Sequence, residues 1–358
     1  MIVGPDFGTK SGNRILSQAG EDMKTKPAAP ATAPFDFADL SSLGGPRFIL
    51  TVDTEEEFDW EKPFARRGFG TSHLTAVPRF QSLCNESGVT PCYLVDYPIT
   101  EDVYGVETLG GFVHAGLAEI GVQLHAWVNP PFEEELSTYN SYACNLPEAL
   151  ERAKLTHLYQ AIVDRFGIRP DAYRAGRYGA GPNTPSILTD LDIAIDTSVR
   201  SRFDYSEQGG PNYAFHPVNP YWIKRGALLE LPLTTIFSGV MRSAGNVVFG
   251  EWFGSQTARS MLARSNMLER IALTPEGIPL AKAIEAIDIA LLDGVKIINL
   301  SLHSPSLAVG HTPYVRDESQ LAELHAWLTG VLSHLNASGV SSTTMAEIKR
   351  ASQFKLPT

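Results

Sequence analysis

The feature that most constrains this chain is an alternation that runs from Phe48 to Leu302. Short apolar, β-branched runs (Phe48–Val52, Val89–Val95, Ile120–Leu124, the segment from Asp171, Ile193–Ser198, Leu228–Leu233 and Val295–Leu302) are separated mostly by stretches of helical spacing. Such runs read as buried parallel strands, and a strand followed by an amphipathic helix, repeated about seven times, predicts an α/β fold with one active face. Helices are expected over Ser72–Ser87 with Ser72 as cap, Pro147–Phe166, a start at Thr184-Pro185, Ser255–Ile271, Leu280–Asp293, Asp317–Leu335 and Met345–Arg350. In such folds ligands bind where strands exit into loops. Polar residues gather at these exits: Asp53 and Glu55, Asp96, His125, Arg174, His303.

Composition narrows the function. Of 358 residues 43% are hydrophobic and 19% charged, which suits a soluble chain with a large core, and the net charge of −11 argues against nucleic acid or an anionic membrane as partner. No apolar run is long enough for a membrane span, and Met1–Gly8 lacks a secretory layout, so a cytoplasmic location is expected. Cys84, Cys92 and Cys144 are widely spaced and read as reduced core thiols. Residues 1–45 read as an arm with a Pro/Ala linker at Lys26–Pro34, with Phe35, Phe37 and Leu40 available to dock, and residues 46–358 as the folded domain. Internal repeats, phosphate-binding glycine loops and a Gly-x-Ser-x-Gly elbow are absent.

Side chains alternate along a strand, so Asp53 and Glu55 share a face, as do Gln123, His125 and Trp127. Two acids at a strand exit suit a metal ligand, a general base or both, and His125 reads as either a ligand or a hydrogen-bonded structural residue. Trp60, Trp127, Tyr178 and Tyr205 are candidates for a wall that stacks on a sugar ring, or for packing.

Taken in chain order, these residues resemble the polysaccharide deacetylase family, the carbohydrate esterases that include the nodulation chitooligosaccharide deacetylases. The resemblance rests on Thr51-Val-Asp-Thr-Glu, Glu119-Ile-Gly with His125, Arg174-Ala-Gly-Arg-Tyr-Gly, Leu228-Leu-Glu-Leu-Pro and Leu300-Ser-Leu-His303, spread over about residues 46–350. It is closest to a divergent branch with Asp-Thr-Glu and His-Ser-Pro-Ser signatures. It implies a distorted (β/α)7 barrel and a hydrolase of carbon–nitrogen bonds other than peptide bonds. By the same resemblance Asp53 is the base; amide hydrolysis also needs an oriented base and a proton for the leaving amine, which Arg174 and His303 are expected to supply. Glu55 and His125 would hold a divalent metal, zinc first, with Gln123, Trp127 and Tyr178 toward the substrate.

The departures from the family pattern are informative. Thr54 replaces the second Asp of the first motif, and the paired histidines are missing: their positions carry Gln123 and Asn129. Zinc favours His, Cys and carboxylate, so a metal-free site stays open. The expected reaction is removal of an acyl group from an N-acetylated sugar or glycan precursor. The alternatives are a metal-independent, allantoinase-like hydrolase of ureides or cyclic amides, and a non-catalytic carbohydrate-binding relative. The expected partner is a carbohydrate or small amide, with a homo-oligomer open.

Overall fold

The computed structural model describes residues 35–58, 62–249 and 256–353. Eleven strands are present among them: β1 (Arg47–Thr54), β2 (Cys92–Val95), β3 (Glu119–Leu124), β4 (Ala172–Ala175), β5 (Ile195–Asp196), β6 (Tyr221–Lys224), β7 (Leu228–Glu230), β8 (Thr235–Ser238), β9 (Glu269–Ala272), β10 (Ile297–His303) and β11 (Ser341–Ser342). The main sheet runs β10-β1-β2-β3-β4-β5-β7-β6, parallel from β10 to β7, with β6 antiparallel at the far edge and β11 beside β1. This is the α/β layout expected, a curled sheet of parallel strands flanked by helices.

Burial explains why these segments pair. Phe48 to Thr54 is buried along its whole length, as is Cys92–Val95, which is what a strand covered on both faces requires. One face of the sheet meets the long helices: Leu155, Leu158, Ile162 and Phe166 of Glu148–Phe166, and Leu324, Leu328, Val331 and Leu335 of Glu318–Ala337, join Leu50, Val52 and Val122 in the main core. Gly167 closes the first of these helices at φ 69°, and the Asp317 carboxylate opens the second by accepting the Gln320 N–H.

Three expectations are corrected. The segment Ser255–Ile271 is not one helix: the helix covers Gln256–Arg264, and β9 follows, pairing antiparallel with β8 as a two-stranded sheet apart from the main one. Asn266 at φ 54° turns the chain, and Gly239 permits the return, since a Cβ there would lie 2.7 Å from the Met267 carbonyl oxygen. Ser72 is not a cap; it opens a 3₁₀ turn, Ser72–Ala76, and its hydroxyl donates to Glu57 at 2.8 Å. The α-helix begins at Val77. Finally, the sequence reading missed β6 and β8.

Residues 36–38 run along β6: Ala38 N–H donates to the Pro220 carbonyl at 3.1 Å and Trp222 N–H to that of Asp36 at 2.8 Å. Leu40 is buried, while Phe35 and Phe37 keep much of their surface. The Pro/Ala linker lies outside the described residues. Among the described residues no helix is long and apolar enough to cross a membrane.

Candidate active site

Strand register sets the centre. β1 and β10 pair so that Asp53 lies opposite His303, and β3 and β4 pair so that Gln123 lies opposite Arg174. The four strands thus carry their polar ends to one rim.

Around Asp53 every charge has a mate. The Arg174 guanidinium, fully buried, donates to Asp53 Oδ1, to the Thr197 carbonyl at 3.0 Å and to Thr51 Oγ1 at 2.9 Å. Asp53 Oδ2 is 3.7 Å from His303 Nε2. Behind the imidazole, Glu276 meets His303 Nδ1 at 2.6 Å, accepts the His303 N–H at 3.0 Å and accepts the Ser306 hydroxyl at 2.6 Å. Burial alone would lower the His303 pKa, but the Glu276 carboxylate, then those of Glu55 and Asp53, outweigh it and raise it to about 10. His303 therefore holds a proton at neutral pH. The same contacts keep Glu276, despite its burial, below the usual carboxylate range.

Beside this lies a second, carboxylate-rich cluster. Glu55 Oε2 is 3.3 Å from His125 Nε2 and accepts from the Gln123 amide at 3.1 Å. His125 Nδ1 meets Glu56 at 2.7 Å, and the other Glu56 oxygen accepts the Trp127 indole N–H at 2.7 Å. The His125 and Trp127 rings stack with centroids 4.2 Å apart. Glu56 N–H donates to Asp96 at 3.0 Å, and Asp96 also accepts the Ile99 N–H at 3.1 Å, capping the helix Tyr97–Glu101. Burial, then the neighbouring Glu56 charge, raises the Asp96 pKa well above normal; burial works against a charge on His125, yet Glu56 and Glu55 raise its pKa too. Gly176 makes room for this ring: a Cβ there would sit 2.6 Å from the Leu124 carbonyl and 2.5 Å from the imidazole.

The structure thus brings Asp53, Glu55, Gln123, His125, Arg174 and His303 to one rim, and Asp53, Glu55 and His303 offer ligand atoms all within 4.8 Å of one another. Trp127 is not a free platform: it is 2% exposed and packs between His125 and Phe64, so it supports the histidine from behind. Tyr178 is partly exposed, stacks on Tyr205 at 5.7 Å and, like Arg177 before it, has positive φ (62° and 54°). Two consecutive non-glycine residues held there are a strained pair of the kind found at functional loops. Trp60 lies outside the described residues. Asn129 does not face the site: its side-chain N–H groups donate to the carbonyls of Pro130 and Lys154 at 2.7 and 2.9 Å.

Sequence reasoning missed Glu56, Glu276 and His73. The His73 imidazole meets Glu57 at 3.1 Å and the Ser304 hydroxyl at 2.8 Å, and Ser304 Oγ accepts the Glu55 N–H at 3.3 Å. A faint signal existed for Glu56, an acid flanked by other acids at a strand exit; none existed for Glu276, which follows a strand the sequence read as helix.

The donor set fits a divalent cation. Glu55 and His125 Nε2 lie at the separation of two ligands on one ion, and His125 is backed by a carboxylate on its other nitrogen, the arrangement that orients metal-binding imidazoles. The Gln123 amide N–H faces Glu55, and its buried Oε1 has no hydrogen-bond partner.

No protein-family model matches the chain, and neither does any curated protein. Among solved structures it is similar to a polysaccharide deacetylase from Mycobacterium smegmatis (18% identity, TM-score 0.51, covering 92% of this chain and 95% of that one). It is also similar to Puue allantoinase (14% identity, TM-score 0.52, covering 96% and 100%). Both likenesses are of fold: the chain has the deacetylase-type barrel architecture.

Proposed function

We propose that the protein is a hydrolase of carbon–nitrogen bonds other than peptide bonds, removing an acyl group from an N-acetylated sugar or glycan precursor. The observation that carries this reading is the placing of Asp53 and His303 on paired strands, each tied from behind, by Arg174 and Glu276. Arg174 occupies Asp53 Oδ1, leaving Oδ2 to take a proton from water; the resulting hydroxide attacks the acyl carbon. His303, protonated at Nε2 and restrained through Nδ1, gives its proton to the leaving nitrogen as the C–N bond breaks, yielding a free carboxylate and an amine. Glu55, His125 and Gln123 would hold a divalent metal, zinc first, which when bound supplies an electrophile toward the acyl oxygen or the attacking water.

A second reading, a metal-independent ureide or cyclic-amide hydrolase, is favoured by one detail. Both His125 nitrogens already face carboxylates, at 2.7 and 3.3 Å. Incubating purified protein with N-acetylglucosamine oligomers and with allantoin, each with and without added zinc, tests both. Acetate release from the oligomers supports the first reading, ring opening of allantoin the second, and neither product sinks both. Bound zinc measured on the purified protein then decides the metal.

A further inference from the structure

Arg200 follows β5 at the same rim as the Asp53–Arg174 pair, which leans on the carbonyl of Thr197 three residues earlier. Its guanidinium carries five donors and a charge at any accessible pH. Among the described residues no carboxylate lies within ion-pair distance of it, and its hydrogen bond goes to the Tyr205 hydroxyl at a long 3.4 Å. Ring faces surround the rest: Phe203 at 4.1 Å and Tyr178 at 5.3 Å from the guanidinium carbon. Tyr178 follows β4, the strand that carries Arg174, and β4 pairs with β5. Arg200 therefore stands on the rim where these two strands exit, beside the strand end that holds Arg174 against Asp53.

With no carboxylate beside it and its remaining donors not sealed from solvent, this guanidinium can answer an anionic group that enters the rim. Resting on the deacylase reading above, we infer that Arg200 is a specificity determinant that binds a carboxylate of the substrate, so that the preferred substrate is an acidic N-acylated sugar. The Tyr178–Tyr205–Phe203 ladder, stacked at 5.7 and 6.0 Å between centroids, gives the sugar ring a wall beside that carboxylate.

The test titrates the full-length protein calorimetrically with N-acetylglucosamine, N-acetylglucosaminuronic acid and N-acetylmuramic acid. At least one acid is expected to bind about tenfold or more tightly than the neutral sugar, as a charge-assisted pair provides. In Arg200→Gln that preference should shrink to about threefold or less, with neutral-sugar binding unchanged, and Arg200→Lys should restore part of it. Equal binding of neutral and acidic sugars, no binding of any, or a folded Arg200→Gln protein that keeps the preference overturns the inference. Should Arg200→Gln fail to fold, phenylglyoxal labelling of the wild type decides: the acid must protect Arg200 and the neutral sugar must not. Binding is read without turnover, so the two readings fail separately. Acid preference without acetate release sinks only the deacylase; acetate release without acid preference sinks only this one.

Discussion

The two halves of the site are built on different electrostatic terms. Around Asp53, each acid has its own base: Arg174 for Asp53, His303 for Glu276. Around His125, the carboxylates of Glu55, Glu56 and Asp96 share one imidazole, and the Gln123 carbonyl oxygen goes without a partner. The first half is complete without a ligand and so is fixed before substrate arrives. The second has oxygen donors to spare, which suits an added cation. A charge-matched cluster and a carboxylate-rich one thus sit side by side on neighbouring strands.

The largest effect should come from breaking the matched half. Arg174→Met leaves the Asp53 carboxylate buried without its cation and should cost about 3–5 kcal/mol of folding stability, read by denaturant unfolding. A loss under about 1 kcal/mol would show that the pair is not structural. His303→Gln should lower kcat by about 10²–10⁴-fold with KM nearly unchanged; a kcat within a few-fold of wild type removes the acid role.

Glu276→Gln sharpens the same contrast through pH. Because His303 is raised to about 10, activity that needs its proton persists into alkali and falls only as pH rises through that value. Without Glu276 the alkaline fall should move toward the ordinary value of about 6.5, so a pH–kcat profile that stays put would refute the arrangement.

His73 links the halves through Ser304 to the Glu55 backbone, and burial lowers its pKa to about 4. A histidine kept neutral by the fold contributes stability that is full above about 6.5 and is lost as pH falls toward 4, about 3 kcal/mol in all. His73→Phe should flatten that part of the stability–pH curve. The smallest expected effect is in the cation-ready half: Gln123→His replaces the weak amide donor with imidazole and should tighten zinc binding by about tenfold or more, by titration. Tight binding in the wild type, unchanged by the substitution, would show that Gln123 is no ligand.

The matched half was partly legible in the sequence, for a physical reason. Asp53 and His303 follow largely apolar runs, Phe48–Val52 and Ile297–Leu302, and such runs announce strands whose exits share a rim; Arg174 has only Ala172 and Tyr173 before it. Their supports were not legible. Glu276 lies in a loop after β9, in a region whose polar–apolar spacing imitates a helix until the pairing with β8 overrides it. Glu56 stands among other acids at the same exit, and only the inward turn of the chain after Thr54 shows it fully buried against His125 and Trp127. Trp127 was misplaced for the same reason: alternation gives a face, but not what covers it.

The parallel pairing of β1 with β10 has a consequence for how such a protein can change. The spacing of Asp53 and His303 is set by the backbone ladder between neighbouring strands, about 4.8 Å apart, not by any loop. Loops bearing Arg200, Tyr178 or Tyr205 can therefore be lengthened, exchanged or recharged without moving the two groups that face each other across the ladder. A lineage built this way can drift in what it accepts while its working distance stays put.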